Sequence, residues 1–284
     1  MNCPVCSAVI PDSLRHCSSC QTDAGFPNVR ECSNPMEVDE VNNRLTKTRA
    51  RAAQRGCEAL IDELNAVLRD ESVVCVTMPA QVARSLAEDP RLIYSNYESQ
   101  VGAGFRIPAQ LQNDRHRAAI GGLLFGSYAT KIRYGLMTIG QQGLPSYGGI
   151  VCRLRSKAIE HRTSFLDENS YTFVRTHELM AGDPIPMGHR AIWSNRGDLA
   201  LAKVGDGIHA GFTRDRLQDL IVKASSKTRS EDEFIEAHIY DGFDVNAIEE
   251  MSAGASGEPS PEVKLDIKIA LAAFATIRSK RTAE

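Results

Sequence analysis

The chain reads as an α+β protein in three parts: a small cysteine-clamped module at residues 1–25, a linker and helical connector at 26–70, and a mixed β core with helices from 71 to 284. Three observations carry this reading. Four cysteines fall in two tight pairs within the first twenty residues. From Glu37 to about Asp70 there is no proline, and Ala, Leu, Glu and Arg dominate, all good helix formers. Beyond that run, short strand-like and helix-like stretches follow one another without strict βαβ alternation, which argues for α+β over a doubly wound sheet.

The first element is defined by Cys3 and Cys6, a C-x2-C pair, and Cys17 and Cys20, a second one, with Pro11, Asp12 and Ser13 as a turn-forming cluster between them. Each pair supplies two corners of a thiolate tetrahedron, and the spacing resembles zinc ribbons and rubredoxin-like knuckles. A segment of about 25 residues has too little core to fold without a staple. Four cysteines complete the shell and leave no position open for water, so a zinc ion here is structural rather than catalytic, and His16 reads as a surface residue. Residues 21–38 read as a linker, with Gly25, Pro27, Asn34 and Pro35 as breakers. In the helical run that follows, Leu60, Ile61, Leu64, Val67 and Leu68 recur at helical spacing and Gly56 offers a break. Arg44, Lys47, Arg49, Arg51 and Arg55 place five cations within twelve residues that contain no acid. This Arg44–Arg55 patch suits contact with nucleic-acid phosphates, or simply a solvated face.

Further along, residues 71–78 read as a strand and 79–87 as a short helix. Strands are expected at 135–139, 149–154, 171–174 and 234–239, and helices at 115–125, 214–223 and 245–251. A Gly-, Ser- and Pro-rich connector at 251–261 precedes a terminal helix at 263–278, although its opening, VKLDIKI, also alternates with the period of a strand.

Composition narrows the function classes. With 42% hydrophobic and 24% charged residues, the chain is globular rather than collagen-like or disordered. Thirty-three Lys and Arg against 36 Asp and Glu give a net charge of −3, so the molecule as a whole is no clamp for nucleic acid. No apolar run reaches the ~18 residues of a membrane span, and no basic leader precedes an apolar stretch, so a cytoplasmic protein without membrane contact is expected. Of the eight cysteines, four lie in the two tight N-terminal pairs and the others, Cys32, Cys57, Cys75 and Cys152, are scattered, a distribution that favours metal over disulfides.

Several ordered segments stand out: YESQVGAGF (97–105), RAAIGGLLFGSYATKIRYGLMTI (117–139), SYGGIVCRLRSKAIEHRTSFLDENSYTF (146–173) and DEFIEAHIYDGFDVNAIEEM (232–251). Their order resembles an uncharacterised bacterial domain family related to ADP-ribosyltransferase toxins, over roughly the middle and later two-thirds of the chain. The matching points are Leu124-Phe125-Gly126, Tyr134-Gly135-Leu136, Arg162-Thr163-Ser164-Phe165 and Glu236-Ala237-His238-Ile239. The chain departs from the family where Gly-Asp-Ser becomes Glu168-Asn169-Ser170, and Phe234 replaces the first acid of a Glu-x-Glu pair, which argues against arginine as acceptor. The resemblance implies an ADP-ribosyltransferase-like fold, NAD as substrate and a macromolecular acceptor, protein or nucleic acid, in a toxin or phage-defence effector.

Breaking the nicotinamide–ribose bond passes through an oxocarbenium-like state, and the leaving group needs no general acid. It needs a carboxylate beside the sugar, for which Glu236 is the candidate, with Phe234 and His238 on the same strand face. Arg133 suits pyrophosphate and Tyr134 nicotinamide stacking, with Gly135 allowing close backbone approach; the alternative is a core tyrosine and a surface arginine. Arg162, Thr163, Ser164 and Ser170 offer donors and hydroxyls for ribose, or for capping, which at least one of them is expected to do. Ser99 and Gln100, before the glycines of 102–104, form a further phosphate-turn candidate. A metal site among His177, His189 and His209 lacks a close pair, and Cys152 reads as a buried hydrophobe. The rival to an enzyme is a non-catalytic zinc-ribbon adaptor that binds a protein or nucleic-acid partner.

Overall fold

The computed structural model describes residues 2–3, 5–11, 13–95, 112–225, 231–254 and 260–282; Ser99, Gln100 and the glycines of 102–104 lie outside them. The mixed α+β class is observed. After the cysteine module come α1 (Pro27–Cys32), α2 (Pro35–Gln54), α3 (Glu58–Glu71), β1 (Ser72–Met78) and α4 (Ala80–Glu88). The expected helical run is indeed divided at Gly56, whose φ of +70° is a left-handed conformation that glycine adopts without strain. Then follow α5 (Gln112–Phe125), β2 (Ile132–Ile139), β3 (Ile150–Leu154), α6 (Ser156–Ile159), β4 (Thr163–Leu166), α7 (Ser170–Thr176), β5 (Arg190–Ile192) and α8 (Arg196–Val204). The chain closes with α9 (Leu217–Ile221), β6 (Val222–Lys223), β7 (Glu233–Phe234), β8 (Glu236–Tyr240), β9 (Ile248–Ala253) and α10 (Pro261–Thr282). Among the described residues no helix is long and apolar enough to cross a membrane.

The strands form one seven-stranded sheet in the order β5-β4-β8-β2-β1-β3-β9, every described pair antiparallel, with β6 and β7 as a separate ribbon. Alternation along the strands sorts side chains onto two faces. Phe165, Ala237 and Ile239 enter the main core with Leu64 and Leu68 of α3 and Leu199 of α8. Ile132, Leu166 and Tyr240 enter a second cluster, roofed by Phe26, Leu124 and Phe125 of α5, and Phe173 of α7.

Four expectations are corrected. Residues 171–174 are helical: the Asn169 side chain accepts the Tyr171 N–H and caps α7, which outweighs the strand propensity of Tyr, Thr, Phe and Val. Residues 245–251 form only one 3₁₀ turn, capped by Asp244, before β9 pairs with β3. The strand expected at 234–239 is broken at Ile235; Phe234 belongs to β7 and lies in the main core rather than beside Glu236. The supposed linker contains α1, with Phe26, Asn28 and Cys32 buried. The terminal helix stands, and the strand alternative for its opening falls.

Candidate functional site

The two C-x2-C pairs fold as a repeat. In the first, the Cys3 N–H donates to Ala8 O and Ser7 N–H to Cys3 O; in the second, Cys17 N–H donates to Thr22 O and Gln21 N–H to Cys17 O. Ser7 and Gln21, each directly after the second cysteine of its pair, both take positive φ, 59° and 61°. These turns bring all four ligand sulfurs within 4.8 Å of one another, and the Cys3–Cys20 and Cys6–Cys17 Sγ pairs lie 3.5 Å apart. Four thiolates at ~2.3 Å from a tetrahedral ion stand about 3.8 Å apart, so the cluster fits a metal ion such as zinc. All eight cysteines are free thiols. Among the described residues, the module's own core is Cys3, Ile10 and Cys17 with Ala8 and Ala24 against them.

The second site is built by sheet register. Tyr134 of β2 and Ser164 of β4 both lie opposite His238 of β8, and Leu166 lies opposite Glu236. Tyr134, Ser164, Glu236 and His238 therefore share one face. Glu236 is buried, and one oxygen, Oε2, accepts from the Ser170 N–H at 3.0 Å, from the Ser170 hydroxyl and from His238 Nε2 at 3.1 Å. With Glu236 accepting, His238 carries its proton on Nε2. Ser170 Oγ also lies 3.4 Å from the same Nε2. A serine–histidine–carboxylate relay needs the carboxylate and the hydroxyl on different ring nitrogens; here both use one, so the trio is a carboxylate centre rather than a relay. The His238 ring is held edge-on by Tyr134 and Phe125, with centroids 5.5 and 4.8 Å away.

Of the remaining sequence candidates, Arg133 and Arg162 are spent on the backbone. Arg133 alternates with Tyr134 and faces away, its guanidinium donating to the Tyr94, Thr130 and Ile132 carbonyls. Arg162 donates to the carbonyls of Ala158, Tyr240, Asp241 and Gly242, tying β4 to the turn after β8. Thr163 donates to Ile159 O at 2.7 Å, the expected capping hydroxyl. Gly135 serves packing rather than a ligand: a Cβ there would stand 2.9 Å from Cys75 O. Cys152 is buried and its thiol is pushed well up by desolvation, so it is inert. The Arg44–Arg55 patch is not an open cationic stripe. Arg44 pairs with buried Asp167 at 2.7 Å, Arg49 with Asp62 at 3.2 Å, and Arg51 and Arg55 with Asp206 at 2.7 and 3.7 Å.

Three features carry no signal in the sequence. Asn28 of α1, from the stretch read as linker, is buried against the centre, and its Nδ2 donates to Ser164 Oγ at 3.1 Å and to the carbonyls of His238 and Arg162 at 2.9 and 3.2 Å. Its Oδ1 is buried and no protein donor reaches it. Glu37 of α2 is fully buried; one oxygen accepts the N–H groups of Gly188, His189 and Arg190, and the other takes the Arg190 guanidinium at 2.9 Å. Asp167 is bridged by Arg44 and His189; burial pushes its carboxyl up, but those two partners outweigh this and hold it below its ordinary value. Between α1 and the sheet, Asn28, Glu31, Cys32, Ser164, Arg190 and His238 line a cavity with room for about one water molecule, which does not hold a dinucleotide.

No family model matches the chain, and no curated protein or solved structure matches it. The chemistry rests on the geometry: an anchored carboxylate, a hydroxyl beside it, an aromatic ring and an imidazole on one sheet face, with a separate metal-binding module.

Proposed function

We propose that the chain is an NAD-dependent ADP-ribosyltransferase acting on a macromolecular target in the cytoplasm, with a structural zinc ion in the Cys3, Cys6, Cys17 and Cys20 cluster. The observation that supports this most is the convergence of Tyr134, Ser164, Glu236 and His238 on one face. In this reading the bond from nicotinamide nitrogen to the ribose anomeric carbon breaks, its electron pair leaves with nicotinamide, and the ring departs neutral. Glu236 stabilises the positive charge on the sugar. The acceptor adds to the anomeric carbon and releases its proton to solvent. A ribose hydroxyl takes over the position that the Ser170 hydroxyl holds on Glu236, and Tyr134 stacks on nicotinamide. In this reading α1 lifts to admit substrate at the cavity beneath it, which has room for about one water molecule.

Nicotinamide release measured with wild type and Glu236→Gln tests this. Loss of the charge lowers turnover by ~10²–10³-fold, and equal rates remove Glu236 from the chemistry. One observation favours a second reading, a non-catalytic adaptor that binds a protein or nucleic-acid partner: Arg133 and Arg162 are committed to backbone carbonyls, and Arg190, at the cavity, to Glu31 and Glu37. NAD at a hundred times its dissociation constant stabilises a binder by ~2.7 kcal/mol; an unshifted melt decides for the adaptor.

A further inference from the structure

The cysteine module and the buried centre meet at α1, a helix of six residues, too short to hold its own shape. Its place is set from both sides. From the module, Arg15 lies over the Phe26 ring at 4.1 Å. Arg30 of α1 reaches back to the module, donating to Leu14 O at 2.9 Å and Pro11 O at 3.3 Å. Toward the centre, Phe26 packs on Tyr240 and His161 at 5.4 and 5.6 Å, Asn28 spans Ser164 and His238, and Glu31 accepts from the Tyr128 hydroxyl at 2.7 Å.

We propose that the module and α1 form a metal-set latch over the Ser170–Glu236–His238 centre, in which the metal-bound module holds α1 in its seat and metal loss releases it. With so small a core, the module folds only around its metal. Without the metal, the Pro11 and Leu14 carbonyls are no longer presented to Arg30, and Arg15 is no longer held over Phe26. What remains on the other side, the Asn28 bonds to Ser164 and His238 and the Glu31 contacts with Tyr128 and Arg190, belongs to a six-residue helix that has lost its anchor on the module. The latch stands on these contacts alone and is independent of whether the centre turns over NAD.

A reporter is built into the helix. Cys32, on α1, is buried, and desolvation pushes its thiol up to about 12, so it is unreactive while seated. Cys75 and Cys152, buried in the main core, are internal controls. The experiment alkylates full-length protein with iodoacetamide, zinc-loaded and after chelator treatment, and follows each cysteine by peptide mass spectrometry. Chelation should raise Cys32 labelling at least tenfold, with Cys75 and Cys152 still protected and zinc restoring protection. Arg30→Ala should raise Cys32 labelling while zinc stays bound. The latch is overturned if the module cysteines label after chelation and Cys32 does not, if Cys75 and Cys152 label in step with Cys32, or if purified protein carries no metal.

Discussion

The cysteine module and the buried centre are built on opposite plans. The module's four cysteines lie within eighteen residues, its two turns repeat the same hydrogen bonds, and its small core is set around four sulfurs placed to hold a metal ion. The centre takes Asn28, Tyr134, Ser164, Ser170, Glu236 and His238 from across the chain: the antiparallel register of β2, β8 and β4 makes Tyr134, Ser164, Glu236 and His238 neighbours, and α1 and α7 bring Asn28 and Ser170 to them. A local site survives whatever keeps its own loops intact, whereas a register-built site depends on the whole sheet. That contrast sets how each should fail.

The largest effect is expected in the module. Cys3→Ser or Cys17→Ser should abolish metal binding, since removing one thiolate opens the shell; structural zinc contributes ~10–16 kcal/mol to modules of this kind. Metal analysis and circular dichroism check it, and the main melting transition should persist, because the sheet core contains none of the four cysteines. Loss of the main transition would mean that the two regions fold as one unit. Next comes Glu37→Ala, which takes the acceptor from the N–H groups of Gly188, His189 and Arg190 and leaves the largely buried Arg190 guanidinium with Glu31 as its remaining carboxylate. Breaking a buried pair from one side costs ~3–5 kcal/mol, to be read from urea denaturation with the metal content unchanged. A cost below 1 kcal/mol would show that this wall of the centre is no more critical than an exposed surface ion pair. Gly135→Ala should cost ~1–3 kcal/mol, since the new methyl meets the Cys75 carbonyl at 2.9 Å; neutrality would mean that β1 and β2 can part there without loss.

What could be read from the sequence follows the same division. The knuckles were legible because spacing alone defines them, and so were α3 and β1, whose periodicity runs for several turns or residues. In the centre, Tyr134, Ser164, Ser170, Glu236 and His238 do come together. Arg133 was misplaced although strand alternation already sets it opposite to Tyr134. Phe234 was misplaced because the alternation was carried through Ile235, where the chain leaves one sheet for the other. β4 and β5, at four and three residues, are too short for period two to emerge. Asn28 left no trace, because a polar residue after a glycine and a proline reads as loop until tertiary packing buries it.

The smallest expected effect concerns pH, and it separates the wall of the centre from the module by a different lever. Asp167 is held below its ordinary carboxyl value by His189 and Arg44 against the cost of burial. A carboxyl depressed in the folded state takes up its proton more readily when unfolded, so its contribution is present above the ordinary value of about 3.9 and is lost as pH falls through the folded value. Asp167→Asn keeps the shape and removes the charge. At pH 6 the variant should melt below wild type, by an amount on the order of 1 kcal/mol for a buried charged hydrogen bond. Toward pH 3 the two melting temperatures should converge, because wild type loses by protonation what the variant lacks already. A difference that stays constant from pH 6 to 3 would assign the cost to the amide's geometry rather than to charge, and the Arg44–Asp167 pair would then be a packing contact beside the centre instead of an electrostatic strut.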